Sequence, residues 1–316
     1  MSSIGYDFGG LLISFPLDFY DLRRSRAGLP TDPDIKINLT VGAMPPRRPV
    51  THAWQGRFQL TLEGGSGAGW TIRYRDDVTV SCDPGGKTLD CVCRDADQIP
   101  ILGEILSRRI LPRLTSLHGR VPIHAASLAG EDGAILMFGI SGAGKSTLTA
   151  AMAATGWDIM SDDMSILTDV DDPRVWQTAA GVSVWEPSRR GLALPDAECR
   201  AIDGYDGKYW YAPPYRERTE PIAVRAMIFL SFGTPDDTIE WHRLTGAAVV
   251  VRAASQMVRF DPADNEETAR TLDALSRLVR RVPCYALAYP RAFDALPRTI
   301  EAVAAIQHDA RQHAPL

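Results

Sequence analysis

Residues 139–146 read GISGAGKS and fit G-x-x-x-x-G-K-[ST], the spacing of a loop that wraps phosphate. Glycines placed this way let consecutive backbone N–H groups turn inward, and the helix that follows adds positive potential at its start. The residues expected to bind a nucleotide here are Gly139, Ser141, Gly142, Ala143, Gly144, Lys145, Ser146 and Thr147. Lys145 should reach the β- and γ-phosphates, and the Ser146 hydroxyl should coordinate Mg²⁺. The flanks agree with the motif. AILMF at 134–138 is wholly apolar, as a strand buried on both faces should be. Residues 145–155 are helix formers with apolar positions at helical spacing, and Gly156 stops them.

Two carboxylates follow. WDIMS at 157–161 reads as a second strand ending in Asp162 and Asp163. In a parallel sheet that is the edge at which the phosphate loop also lies. Adjacent carboxylates there can divide the work, one binding Mg²⁺ and one accepting a proton from an attacking hydroxyl. His124 opens the strand hairpin that leads into the loop, fifteen residues before Gly139. A lone histidine is more often structural, so its meaning depends on its company.

That company resembles the catalytic core of the HPr kinase/phosphorylase family over residues 121–163: the histidine, the loop, the helix and the Asp-Asp pair, in that order and spacing. The resemblance implies an ATP- and Mg²⁺-dependent kinase that transfers the γ-phosphate to a serine-type hydroxyl. It makes Asp162 the proton acceptor, with His124 supporting it. Lys145 would sit at the transferred phosphate, and Ser146 and Asp163 would hold the metal. Outside this stretch the chain departs from HPr kinases. Its N-terminal half does not resemble theirs, and the signature segment after their Asp-Asp strand is missing. It is more similar to the HPr-kinase-like proteins encoded beside ribosomally made peptides, including lasso peptides. That similarity implies a peptide or protein partner with an acceptor serine near the precursor's C-terminus, with HPr itself or free serine as other acceptors. HPr kinases are oligomers, and the expectation of a homo-oligomer carries over.

Other phosphate-loop classes lack their marks here. There is no LSGGQ-type signature for a transporter ATPase. Neither asparagine, Asn38 nor Asn265, is followed by the lysine of a guanine reader. An ATPase switch or a non-catalytic nucleotide sensor remains as an alternative class.

Composition bounds the rest. With 316 residues, 45% hydrophobic and 23% charged, the chain reads as a soluble globular protein of one large domain or two. Lys+Arg of 34 against Asp+Glu of 39 gives −5, so no basic footprint for nucleic acid exists. Apolar runs fall short of a membrane span, and the N-terminus lacks the pattern of a signal peptide. Five scattered cysteines suit the cytoplasm rather than a disulfide framework. Cys91 and Cys93 share a strand face near Cys82, but no fourth ligand completes a metal site.

The elements that must position the chemistry follow. The expected fold class is α/β: an HPr-kinase-like phosphate-loop core, a mixed sheet with flanking helices, preceded by a smaller and mostly β N-terminal domain. Residues 1–96 form that accessory domain, 97–119 a linker helix kinked at Pro112, and 120–316 the kinase domain. Strands are expected at 11–15, 35–41, 57–62 and 70–80, in an antiparallel arrangement with one wet face. Arg108, Arg109 and Arg113 fall off the linker's apolar stripe and read as a solvated face. Residues 186–218 are polar and rich in Gly, Pro and Arg, which reads as a long loop closing over substrate. Within it Lys208, Arg189 and Arg190 are candidates to stabilise phosphate charge. Glu186 stands about where the HPr kinase family places a second magnesium-binding glutamate, in a different motif. Beyond the phosphate loop, strands at 223–230 and 283–289 alternate with helices at 246–257, 265–280 and 293–306.

Overall fold

Short alternating or wholly apolar runs, punctuated by glycine and proline, dominate the first hundred residues, and the backbone turns them into strands. A computed structural model describes residues 3–26, 28–55, 59–65, 67–233 and 238–313. The protein is mixed α/β and mostly β, with a nine-strand mixed sheet, a curled half-barrel sheet and several helices. It divides into two units: Met1–Arg120 with Arg259–Arg270, and Val121–Val258 with Thr271–Leu316. The first unit thus holds the expected β region, the linker helix and a segment returning from the second half.

The strands of the first unit are β1 (Ile4–Phe8), β2 (Leu11–Phe15), β3 (Arg23–Arg24), β4 (Ile35–Val41), β5 (Val50–Trp54), β6 (Leu60–Gly65), β7 (Gly69–Tyr74), β8 (Val78–Cys82) and β9 (Thr88–Cys93). They pair in the order β3-β1-β2-β4-β9-β8-β7-β6-β5, parallel at β2–β4 and β4–β9 and antiparallel elsewhere. Three expectations need correction. The alternating run at 70–80 is a hairpin, because Arg75 takes a left-handed φ of 52° and reverses the chain between β7 and β8. The sheet does not keep one wet face throughout: every residue of β7 is buried. Arg73 within it is neutralised by Glu63 at 2.7 Å and donates to the Pro45 carbonyl at 3.2 Å, so the loop after β4 roofs that face. Of the strand expected at 57–62, Arg57 and Phe58 lie outside the described residues, and β6 begins at Leu60.

The linker helix is irregular before its proline. α1 (Ile99–Ile105) passes into a widened π turn over Leu106–Ile110, then α2 (Leu111–Leu114). Pro112 has no N–H to give the carbonyl four residues back, and its ring crowds that carbonyl, so the ladder slips by one residue. Arg108 is no solvated side chain. It lies 3.0 Å from Glu104 and 3.8 Å from Asp21, largely buried.

The second unit contains β10 (Val121–Ile123), β11 (Ala126–Gly130), β12 (Gly133–Phe138), α3 (Lys145–Ala154), β13 (Asp158–Ser161), β14 (Ser165–Leu167), β15 (Arg174–Val175), β16 (Val182–Trp185), α4 (Glu186–Gly191), β17 (Cys199–Ala201), β18 (Lys208–Tyr211), β19 (Ile222–Phe232), β20 (Glu240–Leu244), α5 (Ala247–Ala254), the later turns of α6 (Asn265–Arg281), β21 (Cys284–Tyr289) and α7 (Leu296–Gln312). The main sheet runs β10-β14-β15-β19-β12-β11-β13, with β21 beside β19 and β20 beside β21. Strands and helices do not alternate regularly here. Among the described residues of this sheet only β12, β19 and β21 are parallel neighbours, and antiparallel β11 stands between β12 and β13. Since both pair antiparallel with β11, β12 and β13 run the same way and end at the same edge.

β12 anchors this unit because it is apolar on both faces. Ile135 and Met137 pack in one core with Leu148 of α3 and Val303 and Ile306 of α7. Leu136 and Phe138 pack in another with Val249 of α5 and Leu275 and Leu278 of α6. The region expected as a long loop over substrate is instead built around a three-stranded antiparallel sheet, β16-β18-β17, with α4 attached. Among the described residues, no helix is long and apolar enough to cross a membrane.

Candidate active site

The loop between β12 and α3 is shaped by two glycines that no other residue would replace without strain. Gly142 and Gly144 both take φ of 83°. A methyl group on Gly144 would collide with the Tyr289 hydroxyl, which itself donates to the Ala143 carbonyl at 2.8 Å. A Cβ on Gly139 would come within 2.9 Å of that of Ala143. The backbone is therefore packed against the end of β21.

Lys145 opens α3 and bends back so that Nζ donates to the Gly139 carbonyl at 2.6 Å. Burial pushes its pKa down, opposed by the charges of Asp163 and Asp162. Ser146 donates to Asp162 Oδ1 at 3.2 Å, and the backbone N–H of Ser183 donates to Asp162 Oδ2 at 2.8 Å. Asp163 is placed differently: its Oδ1 lies 3.4 Å from His124 Nε2. Ser146 thus stands with Asp162 and His124 with Asp163, whereas the resemblance groups His124 with Asp162 and Ser146 with Asp163.

Three buried serines hold these ends in register. Ser165 donates to the Ala125 carbonyl at 2.9 Å, Ser161 Oγ lies 2.7 Å from Ser165 Oγ, and Ser127 Oγ lies 2.8 Å from Ser161 Oγ. Each hydroxyl has one proton, so the last donation orients the chain: Ser127 to Ser161 to Ser165 to the carbonyl. Ser161 precedes Asp162 and Ala125 follows His124, so this relay ties the acid pair to the histidine. His124 is fixed from another side, its N–H donating to the Gln256 carbonyl at 2.9 Å.

Beside the loop lies a cleft of about 570 Å³ between 139–143, the end of β19 and residues 252–256, with Arg252, Gln256 and Arg291 at its walls. Ser141 and Ala143 contribute to it, as expected of the loop. Thr147 faces a second hollow of about 250 Å³ and shares a 2.7 Å hydrogen bond with Ser188 of α4.

The remaining candidates gather elsewhere. Glu186 is held by Arg189 at 2.7 Å and by Arg190 at 2.5 Å, and the Arg189 bond foremost pulls its pKa down to about 2. Both of its oxygens are engaged by arginine. Arg189 lies over Tyr209 at 4.9 Å and also pairs with Asp196. Lys208 Nζ sits 4.7 Å from the Tyr205 ring centre and 5.6 Å from that of Trp185. These four residues form a local cluster on the small sheet and α4.

Sequence reasoning missed Ser183, Tyr289, Gln256 and the serine relay. Ser183 and Gln256 act through backbone atoms, which leave no trace in residue type. The relay did leave one: Ser127, Ser161 and Ser165 are polar residues inside buried strands, where a hydroxyl needs a partner. Cys82, Cys91 and Cys93 are all buried, and among the described residues no group of His, Cys, Asp and Glu could hold a metal by itself. The sequence matches no protein-family model and no curated protein.

Proposed function

We propose that this chain is an ATP- and Mg²⁺-dependent phosphotransferase with an HPr-kinase-like phosphate-loop core, acting on a serine-type hydroxyl of a peptide or protein. The observation that carries the reading is the convergence on one sheet edge of a glycine-rich loop, a buried lysine and two carboxylates with separate partners. The residues fit the nucleotide: a Cβ at Gly139 or Gly144 would push the loop off its packing against Ala143 and Tyr289, and Lys145 is positioned by its bond to Gly139. They also fit magnesium, since Ser146 and Asp162 offer hard oxygen donors 3.2 Å apart.

Bound ATP would supply the phosphoryl group and Mg²⁺ would neutralise its charge. The work of the chain is positioning, charge and one proton transfer. Lys145 and the inward N–H groups of the loop bind phosphate oxygens. Asp162, fixed by Ser183, and Ser146 would hold the metal. Asp163 accepts the proton of the acceptor hydroxyl, and His124 orients it. Asp163 is the more accessible carboxylate, with 41% of its side chain exposed, as a group meeting an incoming substrate must be.

Intact-mass spectrometry tests the reading. HPr, free serine and a serine-terminated precursor peptide would each be incubated with the protein, ATP and Mg²⁺. Gain of one phosphoryl group on the peptide or HPr is the expected result. Phosphate release with every acceptor unmodified would overturn it in favour of an ATPase.

A further inference from the structure

We infer that the smaller hollow beside Thr147 takes the purine base of the donor nucleotide, and that it discriminates weakly between adenine and guanine. This inference rests on the nucleotide-binding part of the proposed function.

Its position follows from the loop. Gly142, Gly144 and Thr147 form one wall, so the hollow begins where the phosphate cradle ends, on the α3 side. Neither His124, Asp162 nor Asp163 lines it, so it is no place for an acceptor hydroxyl. Its chemistry suits a flat, weakly polar ring: Pro187, Phe232, Tyr289, Phe293 and Leu296 supply apolar and aromatic surface around about 250 Å³.

Phe293 is the expected platform. It is 43% exposed, an unusual state for a phenyl ring that is nevertheless fixed in place. The fixing comes from Gly191 at the end of α4, where any Cβ would run into the ring. A half-exposed aromatic seated on bare backbone has a defined face to offer before ligand arrives, which lowers the ordering cost of stacking. Arg291, which lines both the hollow and the larger cleft, lies 5.1 Å from the Phe232 ring centre, where the base-side and phosphate-side spaces meet.

Weak discrimination follows from what is absent among the described liners. No carboxylate and no carboxamide faces the hollow; its polar side chains are Thr147, Ser188, Arg291 and Tyr289, whose hydroxyl is spent on the Ala143 carbonyl. The hydroxyls of Thr147 and Ser188 are already joined at 2.7 Å. Reading N1 and N2 of guanine requires an acceptor, and reading N6 and N1 of adenine requires a matched donor and acceptor. Stacking accepts either base.

The experiment is calorimetric titration of the full chain with ADP, GDP and inorganic triphosphate, each with Mg²⁺. Wild type should bind ADP and GDP within about tenfold of each other. Phe293→Ala should weaken both by about tenfold or more, while leaving triphosphate affinity unchanged. Phe293→Leu, which keeps apolar bulk, guards against misfolding and should show the same selective loss at smaller size. Equal ADP affinity in wild type and both variants would overturn the base site while leaving the phosphotransferase reading intact. A wild-type preference between ADP and GDP of more than about a hundredfold would overturn the weak discrimination. Failure of all three ligands to bind wild type would overturn both readings at the nucleotide itself.

Discussion

The first unit buries Asp21, Glu104 and Arg108 beside the π turn, and the second gathers Lys145, Asp162, Asp163 and His124 at the ends of β12 and β13. Both are clusters of opposite charges, yet they are finished in different ways. In the first, Tyr20 donates to Glu104 at 2.9 Å, Ser107 donates to Asp21 at 2.9 Å, and Arg108 lies between the two acids. The Asp21 and Glu104 side chains are 6% and 5% exposed. The cluster is sealed from solvent. In the second, the corresponding exposures are 35% for His124 and 41% for Asp163. The Arg73–Glu63 pair repeats the sealed pattern, at 2% and 0%. Charges paired out of solvent serve the fold; half-exposed charges stay accessible to whatever approaches them.

The largest effects should come from the open cluster and should spare stability. Asp163→Asn is expected to lower kcat by about 10²–10⁴-fold, the contribution of a positioned proton acceptor, with the thermal midpoint unchanged. Asp162→Asn should instead raise the Mg²⁺ concentration needed for half-maximal rate, read by a metal titration. If the two variants proved indistinguishable in both assays, the division between the carboxylates would be wrong.

The sealed clusters should behave in the opposite way. Arg73→Met leaves Glu63 charged and buried, and denaturant unfolding should register a loss of about 3–5 kcal/mol. A loss below about 1 kcal/mol would show that this pair is solvated after all. Tyr289→Phe removes the bond to the Ala143 carbonyl and should cost about 1 kcal/mol, together with weaker nucleotide binding as the loop loosens.

The smallest effect is one of pH. Burial raises the pKa of Asp21 above its ordinary 3.8, opposed by Arg108 and by the Ser107 hydrogen bond. The folded chain therefore binds this proton more tightly than the unfolded one. Its contribution to stability is full below pH 3.8 and is lost as pH rises through the folded value. Asp21→Asn should flatten that slope in unfolding curves recorded across the window, whereas an unchanged slope would assign it to other groups.

The contrast also explains what could be read in advance. The loop, β12 and α3 were legible because their signals are local: a glycine spacing, an apolar run, a helical period. The partners of Asp162 and Asp163 were not, since they depend on β11 entering between β12 and β13 and on the backbone N–H of Ser183. The small sheet at 182–211 was hidden by its own composition, where prolines, glycines and arginines surround strands of three or four residues. The hairpin at 70–80 was hidden because its turn is made by Arg75 rather than glycine or asparagine. The sealed cluster around Asp21 joins side chains more than eighty residues apart, beyond any periodicity.

The most direct test of the central claim is single-turnover phosphoryl transfer by Asp163→Asn, with ADP affinity measured on the same preparation. Loss of transfer to the acceptor with ADP affinity intact is the predicted result. Transfer at the wild-type rate would contradict it, and would return the proton to another group or remove the reaction from this site.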